Sequence, residues 1–225
     1  MSYARQFALP FPQALHYRPE DFFPGPGNAD ALAWLARPAA WPGGRLALFG
    51  ESGTGKTHLL HVFAARTGAV LLPAASLRRL QAPPGGVALA IDDAECAQDP
   101  RALLHLLNAA AEAGQPVLLA AATPPAQWPY TLPDLTSRLR AITTVRLHAP
   151  EDSLLRALLA RLFADRQLAV PVTVQDFLLA RLPRTGTALR EAVARLDRTA
   201  LAAGRRVSAA MADAVVGEMT EQAEP

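Results

Sequence analysis

The octapeptide Gly50-Glu51-Ser52-Gly53-Thr54-Gly55-Lys56-Thr57 carries the clearest chemistry in this sequence. It satisfies G-x-x-x-x-G-K-[ST] at every fixed position. Gly53 and Gly55 permit a tight loop whose backbone N–H groups converge on phosphate oxygens. A helix starting at the loop adds the partial positive charge of its N-terminus. Lys56 is then expected on the β- and γ-phosphates, and the Thr57 hydroxyl on Mg2+. A second acidic element follows about 35 residues later, where the apolar run Val87-Ala88-Leu89-Ala90-Ile91 ends in Asp92-Asp93. Asp92 is expected to hold the magnesium shell, and Asp93 to orient or deprotonate an attacking water. The expected cofactors are ADP or ATP with Mg2+.

These residues need a scaffold, and the flanking patterns supply one. "RLALFG" (45–50) reads as a buried strand feeding the loop, and "KTHLLHVFAARTG" as the helix behind it, with Leu59, Leu60 and Phe63 inward and Gly68 at its end. "AVLLPA", "GVALAIDDAE" and "PVLLAAAT" read as further buried strands, and Asp99-Pro100 opens a helix that Gly114 closes. Asn28 is placed to cap an earlier short helix, "NADALAWLA". Strands alternating with helices predict an α/β domain around a parallel sheet. The segment after Thr123 reads as a proline-rich loop through Pro133. From Pro150 onward four helix-like stretches follow with no comparable strand, so the chain divides near 150 into an α/β domain and a small all-α domain.

Bulk properties agree with a folded chain. Among 225 residues, 51% are hydrophobic, much of that alanine, and 19% are charged, which excludes a disordered composition. The 22 basic and 20 acidic side chains nearly cancel at +2, and the basic residues are scattered, so no nucleic-acid-binding surface is written in the charge alone. The single cysteine, Cys96, excludes an intrachain disulfide and a cysteine metal cluster, and reads as a small buried filler. His58 and His61 are three apart on the loop helix; with no third ligand predictable they read as packing residues. Trp34, Trp41 and Trp128 are expected in the core or at a domain edge. No signal core or membrane-length apolar run is present, which makes a cytoplasmic location the expectation.

Four motifs in order carry a family resemblance. "GESGTGKTHLLHVFA" resembles the phosphate loop of the DnaA-related AAA+ family; "EDFFPGPGN" is similar to that family's upstream phenylalanine–glycine–asparagine box; "IDDAE" resembles its Walker B strand; and "LPDLTSRL" resembles its arginine-finger box. The resemblance spans roughly residues 17–219. It implies an AAA+ P-loop NTPase domain over 17–149 followed by a helical lid domain over 150–225, and it adds Thr54 and His58 to the nucleotide-binding set of Gly50, Gly53, Gly55, Lys56 and Thr57. Neither the helix-turn-helix nor the helicase-interaction domain of DnaA itself has a counterpart in these residues. The chain is therefore expected in the short, Hda-like branch, whose members switch the initiator off.

That branch gives the opening residues a meaning. Gln6-Phe7-Ala8-Leu9-Pro10-Phe11, within an arm over 1–16, resembles the short peptide with which proteins dock on the bacterial β sliding clamp. Leu9 and Phe11 would fill an apolar pocket, Gln6 would anchor by hydrogen bonds, and Pro10 would hold the strand extended before binding. The resemblance implies two partners, the clamp and DnaA, with DNA reached only through the clamp, no membrane, and self-association left open. Arg138 resembles the finger offered in trans to the partner's γ-phosphate, with Arg140 the neighbouring alternative.

Two positions depart from the family pattern. Ala120, Ala121 and Ala122 stand where a polar sensor is expected at the end of its strand, with Thr123 able to substitute only through a register shift. Thr187 stands where a second sensor arginine is expected, with Arg184 and Arg190 as alternatives. The expectation is a module that grips nucleotide, hydrolyses it weakly and acts mainly by promoting hydrolysis in a partner. A helicase loader or adaptor, or a clamp-independent DnaA-binding regulator, is the alternative.

Overall fold

The structure, a computed structural model, describes Tyr17, Pro19, residues 22–79 and residues 86–222. From Tyr17 onward the chain forms two compact units, Tyr17–Ala149 and Pro150–Pro225.

The first unit is built on a parallel sheet of five strands in the order β2-β3-β4-β1-β5: β1 Arg45–Phe49, β2 Val70–Pro73, β3 Leu89–Asp92, β4 Val117–Ala121 and β5 Thr143–Arg146. Helices α1 (Ala29–Leu35), α2 (Lys56–Thr67), α3 (Pro100–Glu112) and α4 (Pro133–Arg140) complete it. Alternation along the strands serves two cores. Leu46 and Leu48 of β1 point with Leu118 and Ala120 of β4 into a cluster with Leu59, Leu60 and Phe63 of α2 and with Trp41. Ala47, Leu119 and Ala121 point the other way, against Leu103, Leu106 and Leu107 of α3 and Leu135 and Leu139 of α4. Both faces are covered, so the strands read as unbroken apolar runs, and every residue of the central β4 is buried. Each such leucine contributes about 1.5–3 kcal/mol of burial.

The segment after Thr123 is a loop up to α4, broken by one turn of 3-10 helix at Pro125–Gln127, and a helix and a strand that the sequence did not announce follow it. Pro133 occupies the first turn of α4, where its missing N–H costs no helical hydrogen bond. β5 then pairs with β1, Leu46 beside Thr143 and Phe49 beside Arg146. Its four residues form an edge strand in which only Val145 is buried, so no apolar run announces it.

The second unit is all helical: α5 Asp152–Asp165, α6 Val172–Arg181, α7 Gly186–Ala203 and α8 Ala209–Glu221. Its core draws on Leu155, Leu159 and Phe163 of α5, Leu178 of α6, Leu189, Val193 and Leu196 of α7, and Ala212 and Val215 of α8. Thr185 and Ser208 cap α7 and α8 by accepting from the N–H groups of Ala188 and Met211. Among the described residues no helix is long and apolar enough to cross a membrane.

Candidate functional site

The site sits at the carboxyl ends of β1, β3 and β4, where an open parallel sheet leaves a crevice. Gly50 follows β1. A Cβ at this position would lie 2.4 Å from the carbonyl oxygen of Leu147, in the segment leaving β5, so the loop can start here only without a side chain. Gly53 and Gly55 adopt φ of 80° and 99°, in the left-handed region that glycine enters freely. Gly55 directly precedes α2, so the loop's N–H groups converge at a helix N-terminus.

Lys56 folds back over the loop. Its Nζ donates to the carbonyl oxygens of Gly50 (2.7 Å) and Glu51 (2.8 Å). Burial pushes this ammonium below the ordinary lysine pKa, while Glu95, then Asp92 and Asp93, pull it back up. Thr54 is buried, and its hydroxyl donates to Glu51 O at 2.9 Å, fastening the loop internally. The Thr57 hydroxyl donates to Asp92 Oδ2 at 2.9 Å, joining the start of α2 to the end of β3. These are two hard oxygen donors side by side, the set that suits Mg2+ once phosphate oxygens and water complete its shell. Among the described residues no group of three or more His, Cys, Asp and Glu is arranged to hold a metal, so such a cation would depend on the nucleotide. Asp93 has a positive φ of 49° and is exposed, and its N–H donates to Asp92 Oδ1 at 3.1 Å.

The upstream box packs beside the loop. Phe22 lies edge-on to His58, their centroids 5.2 Å apart, and its ring lies 3.2 Å from the position of a Cβ on Gly55. His58 is buried and also meets Tyr17, which stacks on His61 at 4.4 Å. Both histidines therefore pack, as expected. Asn28 does not cap α1 with its side chain. It turns back instead, accepting from Gly25 N–H and donating to Phe23 O, both at 2.9 Å, and so ties the box into one compact loop.

Cys96 also differs from expectation. It is exposed rather than buried, because Ala94–Cys96 form a short turn of 3-10 helix that directs Ala94 inward and leaves the thiol outside. Partial desolvation and the neighbouring Glu95 and Asp93 push the thiol pKa up, which disfavours the thiolate. Tyr130 secures this turn, its hydroxyl donating to Ala94 O (2.9 Å) and Ala97 O (3.3 Å).

The sensor positions follow the sequence register. β4 pairs with β1 without a slip, Phe49 beside Ala121, so alanine stands at the strand end beside the loop. The N–H of the next residue, Ala122, donates to Glu95 Oε1. Glu95 escaped the sequence reading; the only signal was its place three residues after Asp92. Thr187 is an exposed residue in the first turn of α7, and Arg184 pairs with Asp152 at 2.5 Å.

Arg138 and Arg140 are exposed on the last turn of α4. Arg138 is close enough to Arg45, the first residue of β1, for its charge to lower the Arg45 pKa, second to the effect of burial there. α4 ends three residues before β5, whose Thr143 pairs with Leu46 near the start of β1, so the end of α4 that carries Arg138 lies toward the amino end of the sheet, away from the phosphate loop. Gln6, Leu9, Pro10 and Phe11 lie outside the described residues.

No family model matches the chain, and no curated protein aligns with it in sequence. Solved structures do share its fold. Domain III of the replication initiation protein DnaA from Thermotoga maritima superposes with a TM-score of 0.73 at 19% identity, over 92% of this chain and 98% of that one. AMPPCP-bound DnaA from Aquifex aeolicus gives 0.63 at 17% identity, over 77% of this chain and 62% of that one. The RuvB Holliday junction branch migration motor from Thermotoga maritima gives 0.61 at 19% identity, over 86% and 69%. With its parallel sheet and its glycine loop at the carboxyl end of β1, the chain has the AAA+ fold in the arrangement of DnaA domain III.

Proposed function

We propose that this protein is a nucleotide-bound regulator of chromosomal replication initiation, docking on the β sliding clamp and provoking ATP hydrolysis in a DnaA-type initiator. Lys56, the loop N–H groups and the N-terminus of α2 would hold the phosphates of ADP or ATP. Thr57 and Asp92 would hold Mg2+, which supplies charge neutralisation between the phosphates. Asp93 would orient water. Ala120–Ala122 provide no side chain to read the γ-phosphate, which favours weak turnover by the chain itself.

The observation that carries the reading is the placement of Arg138, exposed near the end of α4, where that helix closes toward the amino end of the sheet and away from the phosphate loop. A guanidinium there is useless in cis and free to serve a neighbour's nucleotide. A motor, as RuvB is described, fits less well, because a motor lives on its own hydrolysis and this chain has alanine at the end of β4.

The test is reconstitution. Clamp is loaded on DNA, mixed with ATP-bound DnaA and this protein, and conversion of bound ATP to ADP is followed. The parent should accelerate conversion only with clamp-loaded DNA. Gln6→Ala combined with Leu9→Ala should remove most of that acceleration while calorimetric nucleotide binding stays intact. A parent that gives none, or arm variants that match it, would overturn the regulator reading.

A further inference from the structure

Arginines that lie scattered in the sequence are gathered by the fold. In a parallel sheet each connecting helix runs back from the carboxyl end of one strand to the amino end of the next. The last turn of α4, with Arg138 and Arg140, therefore closes beside the start of β5. Arg45 opens β1 one strand away, where Leu46 pairs with Thr143. Arg37 lies on the segment that links α1 to β1. That segment starts from the carboxyl end of β5, where His148 N–H donates to Gly27 O ahead of α1, and returns to the amino end at Arg45. The carboxylates go the other way. Every described carboxylate of this unit except Glu112 ends or follows a strand, or opens a helix, which puts it at the carboxyl end.

Arg37, Arg45, Arg138 and Arg140 have no ion pair among the described residues, whereas Arg156, Arg161, Arg184 and Arg195 of the helical unit each meet a carboxylate. The dipole of α4 accounts for cations in its last turn. It does not account for Arg37 or Arg45, neither of which ends an α-helix. At Arg45 the cost is plain: Nη2 donates to Leu107 O at 2.9 Å, but Nε is buried with no partner among the described residues. Grouped cations without anions oppose folding and attract negative charge from outside. The phosphate loop shows what a nucleotide site brings with it in this fold, since Asp92, Asp93 and Glu95 stand at the strand end beside it. DnaA domain III has the same fold.

We propose that Arg37 and Arg45 form, with Arg138 and Arg140, a basic docking surface at the amino end of the sheet for the negatively charged nucleotide face of the initiator. Arg37 and Arg45 set how tightly and how fast the two proteins meet, and take no part in bond making. The inference rests on the regulator reading above and names the surface through which it acts. Attraction of this kind steers the encounter and is screened by salt.

The test separates KM from kcat. Clamp-docked protein is held fixed, ATP-bound DnaA is titrated, and conversion to ADP is followed at about 50 mM and about 200 mM salt. Arg37 is exposed. Arg37→Glu should raise KM about fivefold at the lower salt and about twofold at the higher, with kcat and the thermal midpoint unchanged. Arg45→Gln keeps a donor for Leu107 O and should raise KM at the lower salt about threefold, with a midpoint equal to or above the parent's. A purely structural Arg45 would lower the midpoint and leave KM alone. Arg101→Glu makes the charge change of Arg37→Glu at an exposed position in the first turn of α3, at the other end of the sheet, and should leave KM unmoved. A parental KM in either Arg37→Glu or Arg45→Gln, or an equal rise in Arg101→Glu, overturns the proposal. A rise matched by lost affinity for clamp-free duplex DNA, read by fluorescence anisotropy, gives the surface to nucleic acid and overturns it as well. A parent that converts no ATP at any DnaA concentration overturns the regulator reading itself, a different result from a KM that does not move.

Discussion

Replacing Arg138 by alanine should silence the protein toward its partner while leaving its own nucleotide site untouched. Arg138 acts electrostatically on Arg45, the first residue of β1, whereas the phosphate loop begins after Phe49, the last. Four strand steps separate those residues, about 13 Å at 3.3 Å each, and an extended arginine side chain reaches only about 7 Å. A finger contributes about 10³–10⁵ in rate, or about 4–7 kcal/mol at 1.36 kcal/mol per decade. The full effect should appear in the partner's hydrolysis and none in this chain's affinity for ADP. Stability should change by less than about 0.5 kcal/mol, because the side chain is exposed. Any change should be favourable, since the substitution removes a positive charge beside Arg45. The assay is single-turnover hydrolysis by ATP-bound DnaA on clamp-loaded DNA, with calorimetry and thermal unfolding run on the same preparations. A tenfold loss of ADP affinity in Arg138→Ala would refute that separation. Undiminished stimulation would refute the finger and pass the role to Arg140.

Two further substitutions probe the machinery around the loop. Gly55→Ala forces a side chain into φ 99° with its Cβ 3.2 Å from the Phe22 ring. A cost of about 1–3 kcal/mol should appear as a lower unfolding midpoint with weakened nucleotide binding, and an unchanged midpoint would contradict the packing of Phe22 on the loop. Tyr130→Phe removes the hydroxyl that holds the Ala94–Cys96 turn. Burial, opposed by the Ala97 hydrogen bond and reinforced by Cys96 and Glu95, raises the Tyr130 pKa to about 12. The neutral form is thus favoured in the fold, and its stabilisation is complete below the unfolded value of about 10. It fades as pH climbs from there through about 12. Discounted for partial exposure, the contribution is roughly 1–2 kcal/mol. Denaturant unfolding at pH 7 and pH 11 should show the variant less stable at the first and closer to the parent at the second; an equal deficit at both would refute the linkage.

How much of this was legible in the sequence depended on the physical signal each element carries. The buried strands β1 and β4 are unbroken apolar runs, and the phosphate loop has glycine, lysine and threonine at fixed spacing, so both could be read directly. β5 is short, lies at the sheet edge and buries only Val145, and α4 opens on a proline followed by Asp134, so neither gives a run or a period. Asn28 has the composition of a helix cap, but its side chain finds better partners in Gly25 and Phe23, a choice between local hydrogen bonds that spacing cannot reveal. A lone thiol such as Cys96 reads as a small buried filler, whereas the geometry of the turn decides that Ala94 faces in and the thiol faces out. Glu95 gains its meaning only from Ala122, 27 residues away in the chain.

Two of the polar side chains with a buried atom left without a partner among the described residues, Arg45 and Glu95, lie toward opposite ends of the sheet. Arg45 is half-buried and its Nε has no partner among the described residues, while Nη2 donates to Leu107 O, yet a second guanidinium, Arg138, adds its charge nearby. Folding alone would favour a neutral or acidic side chain at 138. Glu95, at the other end of the sheet, has one carboxylate oxygen buried with no hydrogen-bond partner among the described residues, but its charge is offset by that of Lys56. Sequences remove such conflicts when nothing retains them, since each opposes the native state for no gain in packing. A second positive charge kept beside a half-buried arginine, against that cost, is what a molecule needs if Arg138 is to be presented to another protein's triphosphate.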